Sequence, residues 1–160
     1  MSNLRVGIGY DVHPMAQGSR LVLGGVDIPS ENGLSGWSDA DALAHALIDA
    51  LVGAAGLGDI GRHFPPGEPE YRGISSLVLL ERVSDRLKEN GWQIVNLDAT
   101  IMAQRPKLAG FMPDMCRNLS RTLGLDSSRV NVKATTTEGL GFVGHGEGMA
   151  CLAVALIEKE

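Results

Sequence analysis

The sequence predicts a two-layer α/β domain, in which a mixed sheet carries helices on one of its faces. Segments with alternating apolar residues, typical of strands, are interleaved with segments whose apolar residues recur every three to four positions, typical of helices. Strands and helices follow one another in turn after residue 90. The chain has 160 residues, of which 44% are hydrophobic, and this is enough for one core. We therefore expect a single domain over residues 1–160.

Two β segments open the chain. Residues 4–10 (LRVGIGY) predict a first strand, and residues 20–26 (RLVLGGV) predict a second, shorter one. Residues 27–29 are expected to begin the return of a hairpin. Pro29 suits the end of a strand because proline has no N–H to donate to a neighbouring strand.

The clearest helical pattern follows these strands. Ser38 is a good N-cap, and Asp41 would then occupy the third helical position, as in a capping box. Apolar residues recur with helical spacing as far as Gly56, where glycine favours the end of a helix. Residues 57–73 are rich in Gly and Pro and predict a long loop, and loops of this length are often functional.

The second half of the chain alternates helix and strand. Apolar spacing predicts helices near residues 75–90 and 107–123, strands near 92–103, 129–134 and 148–157, and a polar, Gly-rich loop over 135–148.

Charge and composition exclude several classes of protein. The net charge of -5 argues against nonspecific binding to nucleic acid, which needs a broad basic surface. No stretch reaches the roughly 18 apolar residues of a membrane span, and the N-terminus lacks the apolar run of a secretory leader. Cys116 and Cys151 form no CxxC pair. We therefore expect a cytoplasmic protein that binds neither nucleic acid nor membrane.

A candidate metal site begins at the end of the first predicted strand. Asp11 and His13 are two residues apart, so in an extended chain their side chains point to the same side. His45, on the first predicted helix, offers a third ligand, and Asp49 one turn later would orient its ring. One carboxylate with two imidazoles suits zinc or another borderline divalent metal. The alternative is a chance Asp-x-His triplet, with His45 as an ordinary core residue.

A second candidate site has the chemistry of phosphate binding. Residues 135–138 (TTTE) follow a predicted strand and open a Gly-rich loop, whose backbone amides can bind anions. Glu138 would bind a Mg²⁺ ion that bridges two phosphates. Lys107 adds a cation near a strand end, and Asp59 offers a carboxylate to ribose hydroxyls. Each feature alone also fits a solvated surface turn.

Six fragments carry a resemblance to a known family: GYDVH (9–13), LGGVDIP (23–29), SDADALAHALIDALVGAAGLGDIGRHFP (38–65), AQRPKL (103–108), VNVKATTTEGLGF (130–142) and GHGEGMAC (144–151). In this order and spacing they resemble the 2-C-methyl-D-erythritol 2,4-cyclodiphosphate synthase family of the non-mevalonate isoprenoid (terpenoid) pathway. The likeness runs from Gly7 to Ile157.

The resemblance implies a phosphorus–oxygen lyase. Its substrate would be 4-diphosphocytidyl-2-C-methyl-D-erythritol 2-phosphate, whose 2-phosphate attacks the β-phosphorus of the diphosphate. The products would be 2-C-methyl-D-erythritol 2,4-cyclodiphosphate and CMP, so no water is consumed and no protein nucleophile is required. The resemblance also implies a homotrimer with active sites between neighbouring subunits.

The resemblance further implies roles for individual residues. Zn²⁺, or another divalent metal, would bind Asp11, His13 and His45, and Mg²⁺ or Mn²⁺ at the diphosphate would contact Glu138. Thr136 and Lys107 would be catalytic donors. The substrate-binding residues would be Asp11, Val12, His13, Trp37, Ser38, Asp49, Asp59, Ile60, Gly61, Phe64, Pro65, Pro66, Gly67, Glu68, Ala103, Gln104, Arg105, Pro106, Lys107, Leu108, Ala109, Thr135, Thr136, Thr137, Glu138, Phe142 and His145. Within this set, residues 64–68 would belong to a flexible lid, and residues 103–109 of a neighbouring subunit would contact the cytosine.

Three positions depart from the family pattern. Many members have His, a residue that helps stabilise the transition state, where this chain has Trp37. A catalytic role for Trp37 would depend on its indole N–H, since an indole carries no positive charge. Many members have Lys at Gly139 and Arg at His145. That Arg lines a central channel that can hold an isoprenoid diphosphate, which a neutral His145 would bind more weakly.

Two other functions stay open on the sequence. A zinc phosphohydrolase with the same ligands would release inorganic phosphate. A noncatalytic nucleotide-binding or scaffold protein would keep the fold without the reaction.

Overall fold

The computed structural model of the chain describes residues 3–159. The strands are β1 (Leu4–Gln17), β2 (Leu21–Leu23), β3 (Val26–Ile28), β4 (Asn32–Leu34), β5 (Trp92–Met102), β6 (Val130–Thr135) and β7 (Gly148–Lys159). The helices are α1 (Ala42–Ala54), α2 (Ile60–His63), α3 (Ser76–Glu89), α4 (Met112–Leu123) and α5 (Gly141–Gly144), with 3₁₀ turns at Pro69–Tyr71, Ala109–Phe111 and Ser127–Arg129.

Five strands form one mixed sheet in the order β4-β1-β7-β5-β6. The pair β5–β6 is parallel, whereas β7 is antiparallel to both β1 and β5. Strands β2 and β3 form a separate hairpin. Helices α1, α3 and α4 cover one face of the sheet, so the expected two-layer architecture is confirmed.

The core lies between the sheet and its helices. Eleven of the 13 residues of α1 are buried, because α1 packs against β1 and β7 on one side and α3 on the other. Within β1 the alternation is strict in its first half: Gly7 and Gly9 face the helices and are buried, while Val6 and Ile8 face outward and are exposed.

Two glycines of β1 allow α1 to lie directly on the strand. A Cβ at Gly9 would stand 1.9 Å from the carbonyl oxygen of Ala46, and a Cβ at Gly7 would stand 2.0 Å from that of Ala50. No other residue fits such an approach without moving the helix. This packing brings His45, which precedes Ala46, next to the inward-facing residues of β1.

The start of α1 differs from the prediction. Its N-cap is Asp41, not Ser38, and the Asp41 carboxylate accepts hydrogen bonds from Ala44 N (3.0 Å), Gly24 N (2.9 Å) and Gly25 N (2.8 Å). Burial raises the pKa of Asp41 to about 6, against the opposing effect of these N–H groups. Asp41 therefore caps α1 and ties it to the β2–β3 turn, which leaves Ser38 free for another contact.

Several other boundaries also shift. The expected strand over 20–26 is two strands, because Gly24 and Gly25 adopt positive φ values of 56° and 70° and reverse the chain between them. The first strand continues to Gln17, so Asp11 and His13 lie within it rather than at its end. The expected loops contain α2, the Pro69–Tyr71 turn and α5, and the helix expected from 107 begins at Met112 after a 3₁₀ turn.

No helix within residues 3–159 is long and apolar enough to cross a membrane.

Candidate functional site

Asp11, His13 and His45 converge as the sequence predicts. His13 Nε2 lies 2.9 Å from Asp11 Oδ2 and 3.0 Å from His45 Nδ1, and His45 Nδ1 lies 3.2 Å from Asp11 Oδ2. Ligands bound tetrahedrally to zinc at 2.0–2.1 Å stand about 3.3 Å apart. The three atoms are therefore spaced for one metal ion.

The backbone sets the tautomer of His13. Its Nδ1 lies 3.0 Å from the carbonyl oxygen of Ser35, which can only accept a hydrogen bond. Nδ1 therefore carries the proton in the neutral ring, and the lone pair of Nε2 points toward Asp11 and His45. Gly36 leaves room for this ring, since a Cβ there would stand 2.9 Å from His13 Nδ1.

A relay of hydrogen bonds sets the tautomer of His45. Ser76 Oγ donates to Asp39 Oδ1, so it accepts from His45 Nε2 at 2.8 Å. Ser38 Oγ lies 3.1 Å from the same nitrogen. The lone pair of His45 Nδ1 is thereby directed at Asp11 and His13, as a metal ligand requires.

The expectation that Asp49 orients His45 is wrong. Asp49 Oδ1 accepts a hydrogen bond from Ile60 N at 2.9 Å and so anchors the start of α2. Its side chain extends toward the following loop instead of back along the helix, and the serines take the orienting role.

Two lone pairs and a carboxylate that face one another require a positive charge between them. Burial alone would raise the pKa of Asp11, but the close contacts with His13 and His45 outweigh burial and lower that pKa. Burial alone would lower the pKa of His13, but the bond to Asp11 and its charge raise that pKa. The donor set of one carboxylate and two imidazoles fits a divalent metal such as zinc.

A cavity of about 240 Å³ opens beside the three ligands. Its walls are largely apolar, and its lining residues are His13, Trp37, Ser38, His45, Ile60, Gly61, Phe64, Pro66, Tyr71 and Leu79. Asp59, which precedes the lining residues Ile60 and Gly61, caps α2 by accepting a hydrogen bond from Arg62 N at 2.9 Å. Val12 faces the opposite side of β1, away from this cavity.

The second candidate site is built from loops. A cavity of about 240 Å³ is lined by Ala103, Gln104, Pro106, Lys107, Leu108, Ala109, Met112, Ala134, Thr135 and Thr136. Thr137 Oγ1 donates to Leu140 O at 2.7 Å, and Thr135 Oγ1 donates to Thr136 O at 3.1 Å. Lys107 is exposed and makes no hydrogen bond or ion pair with any other part of residues 3–159.

The two cavities share no lining residue. Residues 11–68 and residues 103–138, which the sequence assigns to one active site, thus line two separate cavities within one chain. A further cavity of about 650 Å³ is lined in part by Gln104, Arg105 and His145, while Phe142 is partly exposed in the loop that follows Thr137.

Sequence reasoning missed four residues that surround the triad, which we call, with the triad and its cavity, the metal side of the chain. Asp39 and Ser76 orient His45, and Tyr71 and Leu79 line its cavity. Ser75 and Ser76 stand together at the start of α3, where a helix needs only one serine as cap. The presence of a second serine, Ser76, could have indicated another role for its hydroxyl. Its partner His45 lies 31 residues away in the sequence, so no local pattern links the two.

The fold and the triad define an α/β domain with a cavity beside three residues that could hold a metal ion. The YgbB family model matches residues 4–158, and the chain belongs to this family.

Relatives cover the chain almost completely. A protein of Dehalococcoides mccartyi is 56% identical over 157 residues, which are 98% of this chain and all of the relative. A protein of Thiobacillus denitrificans is 57% identical over 159 residues, 99% of each chain. Both are named 2-C-methyl-D-erythritol 2,4-cyclodiphosphate synthase, so the resemblance found in the sequence is confirmed.

Solved structures agree with the fold. The bifunctional IspDF of Campylobacter jejuni superposes with a TM-score of 0.96 at 44% identity; all of this chain matches, but only 43% of that longer protein. IspF of Plasmodium falciparum, in a complex with CDP, superposes with a TM-score of 0.86 at 30% identity over 100% of this chain and 99% of its own.

Proposed function

We propose that this chain converts 4-diphosphocytidyl-2-C-methyl-D-erythritol 2-phosphate into 2-C-methyl-D-erythritol 2,4-cyclodiphosphate and CMP. The observation that carries the proposal is the convergence of Asp11, His13 and His45 within 3.2 Å, with both imidazole lone pairs directed inward. The chain that contains this triad matches proteins named as synthases over 98–99% of its length. The chain acts as one domain, in the cytoplasm.

The first requirement of this reaction is a folded substrate. Both reacting groups belong to one molecule, and holding them in a reactive pose can lower the barrier by about 7–11 kcal/mol at best. The cavity beside the triad suits this task because its walls are largely apolar, while His13, His45 and Ser38 add polar groups to its lining. Residues 64–68 would cover the substrate and exclude water, whose attack would hydrolyse the diphosphate.

The second requirement is the control of negative charge. Asp11, His13 and His45 would hold Zn²⁺ or another divalent ion, which when bound supplies Lewis-acid polarisation of a phosphate oxygen. Glu138 would contact Mg²⁺ or Mn²⁺ at the diphosphate. Thr135, Thr136 and Lys107 would donate hydrogen bonds to phosphate oxygens as charge shifts toward CMP.

The active site is composite, formed by the metal side of one subunit and the nucleotide side of the next. The separation of the two cavities within one chain supports this arrangement. Residues 103–109 of the neighbour would contact the cytosine, near the Thr135 and Thr136 that line the same cavity.

The outer face of the sheet supports a homotrimer. On β1, outward side chains of Val6, Ile8 and Tyr10 are 67%, 66% and 55% exposed. They pair across the sheet with Leu156, Val154 and Leu152 of β7, so the apolar surface is continuous. Surfaces of this kind mark contacts between proteins. Light scattering should give about 51 kDa, three times the 16.9 kDa chain, and a monomer would contradict the assembly.

The decisive experiment is product analysis. Purified protein is incubated with the cytidyl diphosphate substrate, Zn²⁺ and Mg²⁺, and the products are followed by phosphorus NMR. We expect CMP and the cyclic diphosphate in equal amounts, and a chelator should abolish both. CMP without cyclic product would indicate a hydrolase, and no reaction in a metal-loaded trimer would indicate a binding protein.

A further inference from the structure

The Trp37 side chain has one hydrogen-bond donor, and that donor is already engaged. Its indole Nε1–H donates to the carbonyl oxygen of Glu68 at 2.9 Å. The same carbonyl accepts from Tyr71 N at 3.1 Å, at the start of the 3₁₀ turn Pro69–Tyr71. Because a carbonyl oxygen has two lone pairs, Trp37 and Tyr71 together satisfy it.

Trp37 also contacts the other end of this turn. Its backbone carbonyl accepts a hydrogen bond from Gly73 N at 2.8 Å. The Arg72 guanidinium lies 5.9 Å from the centre of the indole ring, at the outer limit of a cation–π contact. Trp37 therefore holds both ends of residues 68–73, which we call the clamped segment.

Few other contacts hold the clamped segment. Glu68, Pro69 and Glu70 are exposed, and the ion pair from Glu70 to Arg82 is long, at 3.9 Å, between exposed groups. Tyr71 packs edge-on against buried Phe64, with ring centres 5.5 Å apart. These two rings and Trp37 form the walls of the cavity beside His13 and His45.

We propose that Trp37 is a positioning residue, which holds the clamped segment closed over the metal-side cavity before any substrate is bound. This inference rests on the proposed synthase function and deepens it. Trp37 acts through the segment and not directly on a phosphate, because its N–H bonds the Glu68 carbonyl. If the clamped segment is already ordered, substrate binding does not include the entropy cost of ordering it. Loss of the Trp37 hydrogen bond should therefore raise KM.

The variant that isolates the indole bond is Trp37→Phe, which keeps an aromatic ring and the backbone carbonyl but has no donor. Trp92→Phe is the matched control, since Trp92 is the other tryptophan of the chain and stacks under Arg5 and Lys159, outside this cavity. Amide hydrogen exchange is measured on the protein without substrate, followed by steady-state kinetics on the metal-loaded protein.

We expect Trp37→Phe to speed exchange at Tyr71, Arg72 and Gly73 by roughly two- to tenfold, the range for loss of one neutral hydrogen bond. KM should rise by a similar factor with kcat unchanged, and Trp92→Phe should alter neither the exchange rates nor KM.

Unchanged exchange in the clamped segment would overturn the inference, as would faster exchange spread over the whole chain. A fall in kcat at constant KM would instead make Trp37 a catalytic donor. If wild-type protein forms no cyclic product, the proposed function fails, but the exchange data still decide whether Trp37 is a clamp.

Discussion

The metal side and the nucleotide side of this chain are built in different ways. Asp11, His13 and His45 stand on β1 and α1, with both imidazoles held by hydrogen bonds to residues that are not ligands. Residues 135–140 form an exposed loop whose side chains mostly bond to the loop itself. The three groups of the metal side are therefore held in place within one chain, whereas the loop at residues 135–140 is held mainly by its own contacts.

This contrast separates the effects of mutation. Changes on the metal side should alter metal binding in the free protein, without substrate. Changes on the nucleotide side should leave that binding intact and appear only during turnover.

Replacement of His45 by Ala should have the largest effect. It removes one of three ligands, so we expect loss of the bound metal and a fall in kcat of about a thousandfold or more, given the several kcal/mol that a catalytic metal supplies. The fold should survive, as circular dichroism would show. His63→Ala is the control for metal content, because His63 bonds Leu57 and Arg86 instead of the triad. One metal per subunit in His45→Ala would remove the proposed site.

Replacement of Ser76 by Ala should weaken the metal side without removing a ligand. His45 Nε2 loses the acceptor that fixes its tautomer, and loss of such partners typically costs 10–100-fold in metal affinity. Ser75→Ala is a matched control, since Ser75 is exposed and its side chain makes no capping bond. Equal zinc affinities for the two variants, measured by competition with a chelator, would contradict the relay.

Replacement of Glu138 by Gln tests the nucleotide side. Loss of one charged contact should raise the Mg²⁺ concentration for half-maximal activity by roughly tenfold, while metal content at the triad stays unchanged. Glu147→Gln, at another exposed acid near this loop, should leave the Mg²⁺ titration in place. The same titration curve for Glu138→Gln and wild type would exclude the assigned role.

The smallest effect is expected on β6, the strand that leads into the nucleotide side. Hydrogen bonds from Lys133 Nζ (2.6 Å) and from Asn131 (2.8 Å) lower the pKa of Asp98 below its ordinary 3.8. A carboxylate with a lowered folded-state pKa stabilises the fold above pH 3.8, and this stabilisation is lost as pH falls through the folded pKa. Because the pair is about half exposed, its contribution is about 0–1 kcal/mol.

Lys133→Met should therefore raise the pKa of Asp98 toward 3.8 in an NMR titration. It should also reduce thermal stability slightly at neutral pH, with little change at pH values below the folded pKa. Lys88→Met, which breaks a comparable surface pair with Asp85, should not move the Asp98 titration. An unmoved Asp98 pKa in Lys133→Met would show that Asn131 alone sets it.

The sequence predicted the larger elements and the triad because both depend on short-range patterns. Helical spacing located α1 and α3, and the two-residue periodicity of a strand placed Asp11 beside His13. The errors arose where a local rule competed with a distant partner. Ser38 and Asp41 are both good caps, and the choice is made by Gly24 and Gly25, 16–17 residues away.

The orientation of His45 could not be predicted for a similar reason. Spacing of four residues on a helix indicated Asp49, but the actual partner is Ser76 on another helix, whose hydroxyl is itself held by Asp39. The spacing of residues within α1 cannot indicate a partner that lies on α3. The likeness to the family predicted Asp11, His13 and His45 as ligands, but it did not indicate which groups orient them.

The alternation of β1 has a consequence for how this gene can vary. Its inward residues include Asp11 and His13 of the triad and the two glycines under α1, while its outward residues form the apolar surface. Deleting or inserting one codon between Gly9 and Asp11 would turn Asp11 and His13 to the opposite face, since side chains alternate with a period of two. A single substitution at an outward position of β1 changes the apolar surface and leaves the inward residues in place. Length changes in this strand should therefore be almost absent from any library of functional variants, even where substitutions are common.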